Sequence, residues 1–125
     1  MDKLKHKHIL IRADVKQPPK TTKEVIAWLI KLIKNIDMKI LEGPFARRVD
    51  MAGNEGVTAM AIIETSHVVI HIWDACEPSL IQLDVYSCAD FNPQDIFDKV
   101  NELFKTIKIE YKFLDREKEL VEVNF

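Results

Sequence analysis

The sequence predicts an α+β fold, a two-layer sandwich in which two helices cover one face of a mostly antiparallel sheet. Segments with apolar residues at strand or helix spacing follow one another in the order β-α-β-β-β-β-α-β. Each predicted helix has a single apolar face, and both faces are buried if the helices lie on the same side of the sheet. At 125 residues the chain is long enough for one core, so we assign residues 1–125 to a single domain.

The first three elements are punctuated by turn and cap residues. The run HILIRADV predicts a strand over 8–15, and the segment QPPKTT ends it. Apolar residues then recur at helical spacing over 22–36, with Thr21 or Thr22 as the N-cap. The run MKILEG predicts a second strand over 38–43.

A hairpin-rich segment follows. Residues 45–56 hold two of the three glycines and predict a loop. Two β-branched runs, over 57–64 and 67–73, meet at Thr65-Ser66 in a tight hairpin, and a half-buried strand alternates over 80–88.

The C-terminal part predicts one more helix and one more strand. Asn92 and Pro93 form a cap and a first-turn proline, and apolar residues continue at helical spacing to Ile107. The run KIEYKFL predicts a last strand over 108–114, followed by a charged tail.

Composition excludes several classes of protein. The chain is 47% hydrophobic and 30% charged with a net charge of −2, which argues against nucleic acid or an anionic membrane as the main partner. No window approaches the roughly 20 apolar residues of a membrane-spanning helix. The basic opening MDKLKHKH lacks the apolar run of a secretory signal. With only Cys76 and Cys88 present, we expect reduced thiols and a cytoplasmic protein.

The histidines do not predict a metal site. His67 and His71 stand four residues apart, a spacing that binds metal on a helix. These two lie in a β-branched run, where residues four apart are separated by roughly 13 Å. Two cysteines alone do not complete a thiolate zinc site, so we expect no metal.

Three side chains of this segment suggest chemistry. We expect the hairpin-linked strands to bring Ser66, His71 and Cys88 within reach of one another. Each also has a purely structural interpretation: a turn serine, a core histidine with one hydrogen bond, and a small buried thiol. Spacing alone does not decide between the two.

A longer pattern resembles a known family. The run SHVVIHIW over 66–73, then Glu77, then LDVYSC over 83–88, is similar to the short S-adenosylmethionine decarboxylases of bacteria and archaea. Decarboxylating an amino acid requires an electron sink, and this family makes a pyruvoyl group from a serine. The resemblance implies cleavage between Thr65 and Ser66, giving a β-subunit of residues 1–65 and an α-subunit of 66–125. Ser66 would become the pyruvoyl group, which forms a Schiff base with the substrate amine.

The resemblance also implies roles for other residues. His71 matches the base for the elimination, and Thr58 keeps the hydroxyl of a serine that assists processing. Cys88 matches the proton donor to the decarboxylated carbon. Glu77 matches the acid that binds the ribose hydroxyls, and Phe45 keeps one aromatic of the substrate site.

The chain departs from the family pattern in places. Thr65 replaces the usual Glu and Ala59 a Gly, and both the 49–55 loop and the DACEPS turn are longer. Arg48 falls where an adenine-stacking aromatic is expected. Its guanidinium can stack on adenine, can repel a cationic sulfonium substrate, or can be neutralised by Asp50.

These observations leave three functions. The first is pyruvoyl-dependent decarboxylation of S-adenosylmethionine to supply aminopropyl groups for spermidine. The second is the same machinery acting on arginine or ornithine, which Arg48 and the longer loop favour. The third is an uncleaved, non-catalytic homologue or regulatory subunit. The family's short members imply a homodimer of cleaved protomers, with active sites at or near the interface.

Overall fold

A computed structural model describes residues 4–125; residues 1–3 of the basic opening lie outside this range. In chain order the elements are β1 (Lys7–Val15), α1 (Thr22–Asn35), β2 (Ile40–Val49), β3 (Gly56–Ile63), β4 (Ser66–Trp73), β5 (Ser79–Ser87), α2 (Pro93–Phe104), β6 (Thr106–Asp115) and β7 (Val121–Glu122). The strands form one antiparallel sheet in the order β2-β3-β4-β5-β1-β6-β7. The predicted α+β fold is confirmed, with β7 as an addition in the charged tail.

Both helices begin at the caps that the sequence predicts. The Thr21 side chain accepts a hydrogen bond from the Glu24 backbone N–H at 3.2 Å, and the Asn92 side chain accepts one from Gln94 at 3.0 Å. Pro93 occupies the first turn of α2, where its missing N–H costs nothing. Residues 4–125 contain no helix long and apolar enough to cross a bilayer.

The core lies between the helices and one face of the sheet. Alternate residues of β3, from Val57 to Ile63, are buried on this side, as are alternate residues of β4 and β5. Helix α1 packs over β2 and β3. The Trp28 ring lies 5.0 Å from that of Phe104, which joins α1 to α2. Burying these side chains stabilises the fold by about 25 cal/mol per Å² of apolar area removed from water. It also fixes which face of each strand points toward the core.

The opposite face of the sheet, here called the outer face, has no helix over it within the described residues. Large apolar side chains are exposed on it: Phe45 is 55% exposed, Met60 44% and Ile62 49%. Leu10 of β1 is also exposed there, among polar and charged neighbours.

Strand β2 is longer than the sequence predicts and β3 begins at Gly56, so the prediction of a loop over 45–56 is wrong for residues 45–49 and for residue 56. The chain passes Gly43-Pro44 through two register shifts and then resumes pairing, from Phe45 opposite Met60 to Val49 opposite Gly56. Gly43 has φ +91°, a backbone conformation that residues other than glycine rarely adopt. An edge strand tolerates such a bulge and a proline, because one row of its backbone groups has no partner strand.

Candidate active site

The backbone at the predicted cleavage position is strained. Strand β3 ends at Ile63, a two-residue turn follows, and β4 begins at Ser66, which pairs with Ser87 of β5. Ser66 has φ +142°, which residues other than glycine rarely adopt and which costs of order 1–3 kcal/mol. The strain falls on the residue whose preceding peptide bond the family resemblance marks for cleavage.

The carbonyl of Thr65 is held by a backbone donor. The Cys88 N–H donates to the Thr65 oxygen at 2.7 Å. This hydrogen bond polarises the carbonyl and can stabilise negative charge that develops on its oxygen. Cys88, whose backbone makes this contact, is a free and half-buried cysteine.

The Thr65 side chain is also fixed. Ser87 Oγ, on a fully buried residue, donates to Thr65 Oγ1 at 2.9 Å and accepts from the Ala89 N–H at 3.0 Å. Thr65 Oγ1 in turn donates to Met38 Sδ at 3.0 Å. We call Thr65, Ser66, Ser87 and Cys88 the junction cluster. The β-branched Thr65 therefore stands in a defined polar pocket.

A second group lies further along β4. Thr58 of β3 and His71 of β4 are register partners, and Thr58 Oγ1 lies 2.9 Å from His71 Nδ1. Both are half-buried on the outer face. The Trp73 ring lies 6.0 Å from the His71 ring. We call Thr58 and His71 the hydroxyl–imidazole pair; it combines a proton acceptor with a hydroxyl that orients it.

The junction cluster and the hydroxyl–imidazole pair are far apart within one chain. His71 follows Ser66 by five residues on one regular strand, which separates them by about 16 Å at ~3.3 Å per residue. The expectation that Ser66, His71 and Cys88 lie within reach is therefore wrong for His71, because side chains along an extended strand move apart with every residue. Cys88 does lie at the junction, through its hydrogen bond to Thr65.

Arg48 is ion-paired. Its Nη1 and Nη2 donate to the two oxygens of Asp74 at 2.7 and 3.1 Å, and its Nε donates to Asp50 at 2.9 Å. The hydrogen bond to Asp74 raises the pKa of Arg48 and holds the pKa of the Asp74 carboxyl below its usual range. Of the three possibilities for Arg48, neutralisation by carboxylates holds, with Asp74 as a partner that the sequence did not reveal. Arg47 instead donates to the Ala46 carbonyl at 3.4 Å.

The other predicted substrate residues lie on the surface. Phe45 is exposed on the outer face, opposite Met60. Glu77 is exposed in the turn between β4 and β5. Beside this turn, a cavity of about 280 Å³ is lined by Gly53, Glu55, Trp73, Ala75, Cys76 and Leu80.

Sequence reasoning missed a polar cluster on the outer face. His8 Nε2 and His67 Nε2 lie 2.6 and 3.1 Å from the same oxygen of Asp84. Burial raises the pKa of the Asp84 carboxyl, but the hydrogen bonds from the two imidazoles outweigh it and leave the pKa below its ordinary value. A groove of about 610 Å³ passes over this cluster, lined among others by His67, His71 and Asp84.

The ligand atoms of His8, His67 and Asp84 lie within 4.8 Å of one another, a spacing that can hold a metal ion. However, Arg116 Nη1 lies 3.2 Å from His8 Nδ1. Arginine only donates, so this Nδ1 is unprotonated and the proton of His8 is on Nε2, facing Asp84. A metal bound to Nε2 would require a proton on Nδ1, and that N–H would then face the N–H donors of the Arg116 guanidinium. The arrangement therefore favours a hydrogen-bonded network that runs from Arg116 through His8 and Asp84 to His67.

The chain is similar to known proteins of one family. A sequence model of the S-adenosylmethionine decarboxylase family matches residues 13–117. The chain is 32% identical over 91 residues to an S-adenosylmethionine decarboxylase proenzyme of Clostridium botulinum, covering 70% of this chain and 73% of that one. It is 39% identical over 64 residues to the proenzyme of Pyrobaculum islandicum, a match that spans half of each chain.

A solved structure shares the fold. The adenosylmethionine decarboxylase of Aquifex aeolicus superimposes with a TM-score of 0.69 and 21% identity, covering 99% of this chain and 98% of that one. The match over residues 13–117 includes the strained Ser66 junction, the hydroxyl–imidazole pair and Cys88. The chain therefore belongs to the S-adenosylmethionine decarboxylase family.

Proposed function

We propose that the chain cleaves itself between Thr65 and Ser66 and then decarboxylates S-adenosylmethionine, supplying aminopropyl groups for spermidine. The observation that carries the proposal is the strained Ser66 behind a carbonyl that accepts a hydrogen bond from the Cys88 N–H. The hydrogen bond also continues the β4–β5 ladder beyond the Ser66–Ser87 pair, so the positive φ of Ser66 is the feature that an ordinary hairpin does not explain. The pyruvoyl group supplies an electron sink for the carbanion that decarboxylation leaves.

Self-cleavage begins with the Ser66 hydroxyl. Its Oγ attacks the Thr65 carbonyl carbon, and the Cys88 N–H stabilises the oxyanion of the tetrahedral intermediate. Breaking the C–N bond transfers the Thr65 acyl group to Oγ as an ester, frees the Ser66 amine and releases the backbone strain. A base then removes the Ser66 Cα proton, and the Cβ–Oγ bond breaks with Thr65 leaving as a carboxylate. Water converts the remaining enamine to the pyruvoyl ketone and ammonia.

In this proposal the base comes from outside the junction cluster. We assign this role to His71, with Thr58 Oγ1 orienting its ring through the 2.9 Å contact at Nδ1. Because His71 lies about 16 Å from Ser66 of its own chain, we assign it to the Ser66 of a second copy. Cys88 stays beside the new N-terminus and returns the proton to the decarboxylated carbon.

The outer face supports a homodimer. Apolar side chains (Leu10, Phe45, Met60 and Ile62) are exposed on the face that carries the hydroxyl–imidazole pair. Two copies related by a two-fold axis would cover these residues and bring His71 of each copy toward the junction cluster of the other.

Denaturing mass spectrometry of the purified protein tests the proposal. We expect two fragments that split at Thr65-Ser66, with the second lighter by one ammonia than a fragment beginning with serine. A single full-length species would reject self-cleavage and would favour the third hypothesis, an uncleaved and non-catalytic homologue. Ser66→Ala should abolish both cleavage and activity.

Substrate choice is a separate experiment on the cleaved protein. We expect carbon dioxide release with S-adenosylmethionine, because Arg48 is paired with carboxylates and so does not repel the sulfonium. Release with arginine or ornithine alone would establish the alternative decarboxylase.

A Cys88→Ser variant separates the two reactions. It keeps the backbone N–H at the Thr65 carbonyl, so self-cleavage should proceed to near completion, whereas turnover should fall at least about tenfold with the loss of a proton donor. Unchanged product formation would show that Cys88 is not the proton donor.

A further inference from the structure

We propose that Arg48 is a positioning residue for decarboxylation, which holds the loop 50–55 and the turn 74–78 around the cavity beside the hydroxyl–imidazole pair. The inference rests on the proposed function and deepens it, because it assigns a part of that cavity's specificity to a residue that does not contact the substrate. We call this loop and this turn the paired loops.

The guanidinium of Arg48 joins three segments to β2. Nε donates to Asp50 in the loop, and Nη1 and Nη2 donate to both oxygens of Asp74 in the turn. Nη1 also donates to the Lys20 carbonyl at 3.1 Å, in the segment before α1. All three nitrogens donate hydrogen bonds within the chain. The guanidinium therefore links these segments to one another and is not free to bind substrate.

Asp74 is the partner that matters most. Its side chain is 3% exposed, against 75% for Asp50. Removing the guanidinium would take the bidentate partner from a carboxylate that Arg48 shields from water, whereas Asp50 is exposed with or without Arg48. The Asp74 turn therefore moves if Arg48 is lost.

The paired loops are also bound directly to each other. The Asp74 N–H donates to the Glu55 carbonyl at 3.2 Å, and Trp73 Nε1 donates to Asn54 Oδ1 at 2.8 Å. The Gly53 N–H donates to Glu55 Oε1 at 3.0 Å. A shift of the turn is thus transmitted to the loop, and both segments contribute walls to the 280 Å³ cavity.

The cavity suits a cationic ligand. It is lined by the Trp73 indole and Glu55, and an aromatic face and a carboxylate both attract a cation. Arg48 and Lys20 are balanced by Asp50 and Asp74, so this group of charges does not oppose the attraction. The Trp73 ring also lies 6.0 Å from the His71 ring, which places the cavity next to the proposed base. The sulfonium half of the substrate is therefore the part that the paired loops receive.

The test compares Arg48→Ala, Arg48→Lys and Asp74→Asn with wild type and with Lys99→Ala. Lys99 is the matched control, because it belongs to a partly exposed ion pair on α2, in the helix layer and away from the paired loops. Arg48→Ala and Asp74→Asn should each raise the KM for S-adenosylmethionine about tenfold, leave kcat within about threefold, and leave self-cleavage complete. The double variant should be no worse than either single one, because both act through one pair.

Arg48→Lys shows whether Arg48 acts through its hydrogen bonds to both Asp74 oxygens or through its positive charge alone. Lysine keeps the charge but cannot bind both Asp74 oxygens, so it should rescue the KM only partly. A wild-type KM in Arg48→Lys would show that Arg48 acts through its charge alone and would overturn the inference. So would an Asp74→Asn variant with the wild-type KM.

Amide hydrogen exchange separates this inference from the proposed function. Arg48→Ala should speed exchange in 50–55 and 74–78 but not in the central strands, whereas Lys99→Ala should change neither. Unchanged exchange in the paired loops overturns the inference whether or not the wild type is active. A wild type that neither cleaves nor decarboxylates rejects the proposed function, and faster loop exchange would then still support the linking role of Arg48.

Discussion

A chain with Ser66→Ala and a chain with His71→Ala should complement each other when they are co-expressed. The separation of about 16 Å between Ser66 and His71 along β4 is several times the ~3 Å of a hydrogen bond. Within one copy His71 therefore cannot take a proton from Ser66, and the two must meet across an interface. Neither variant alone should be cleaved, since every site in its homodimer lacks one of the two residues.

The heterodimer contains one complete site. In it, Ser66 of the His71→Ala chain meets His71 of the Ser66→Ala chain, and the second site lacks both groups. With equal amounts and random pairing, about half of the His71→Ala chains lie in heterodimers, so about half should be cleaved. The Ser66→Ala chains should stay intact.

Denaturing mass spectrometry reads the result directly, because a fragment 66–125 with the mass of the His71→Ala substitution can come only from the His71→Ala chain. The control replaces the Ser66→Ala chain by a Ser66→Ala/His71→Ala double variant, which should restore nothing. Absence of the substituted fragment in a preparation proven to contain heterodimers would refute the assignment of His71 to the second copy. Cleavage of wild-type chain held as a monomer would refute it equally.

Three further predictions address the interface, the junction and acid stability. Met60→Lys should shift the protein to monomer in sedimentation experiments and slow self-cleavage, whereas Ile30→Lys, at an exposed apolar position of α1, should do neither. Ser87→Ala removes the hydrogen bond to Thr65 and should lower the free energy of unfolding in urea by about 1–2 kcal/mol and slow cleavage; an unchanged cleavage time course would exclude Ser87 from the junction. The pKa of Asp74 is lower in the folded than in the unfolded protein, so its contribution to stability is present above about pH 3.9 and is lost as the pH falls through the folded pKa. The difference in unfolding free energy between wild type and Asp74→Asn should therefore be largest at neutral pH and disappear in acid, and a constant difference would show that the ion pair does not supply it.

Local features of the fold could be predicted because they depend on neighbouring residues. The caps at Thr21 and Asn92, the proline of α2 and the alternation of β4 and β5 all follow from contacts within a few positions. The bulge at Gly43-Pro44 was missed for a physical reason. A Gly-Pro pair usually ends a strand, but β2 lies at an edge of the sheet, where a bulge and a missing donor are tolerated. Edge position depends on the order of strands, which no local pattern contains.

The same limit explains the polar cluster of His8, Asp84 and His67. These residues come together only because β1 lies beside β5, so that His8 and His67 both flank the Asp84 strand. Long-range pairing of this kind has to be specified by burial over the whole sheet, not by spacing in sequence. The pairing of Arg48 with Asp74 across 26 positions is hidden in the same way.

The distance between Ser66 and His71 carries a more general consequence. The motif places a nucleophile and a base five residues apart, a spacing that a tight loop could fold into one site. On an extended strand the same spacing holds them about 16 Å apart. If the Ser66 hydroxyl and a His71 imidazole act on the same peptide bond, the imidazole must therefore come from another copy of the chain. Dimerisation then has to precede self-cleavage, so the rate of cleavage should rise with protein concentration in the range where monomer and dimer coexist, and a rate independent of concentration there would mean that the base lies within the same chain.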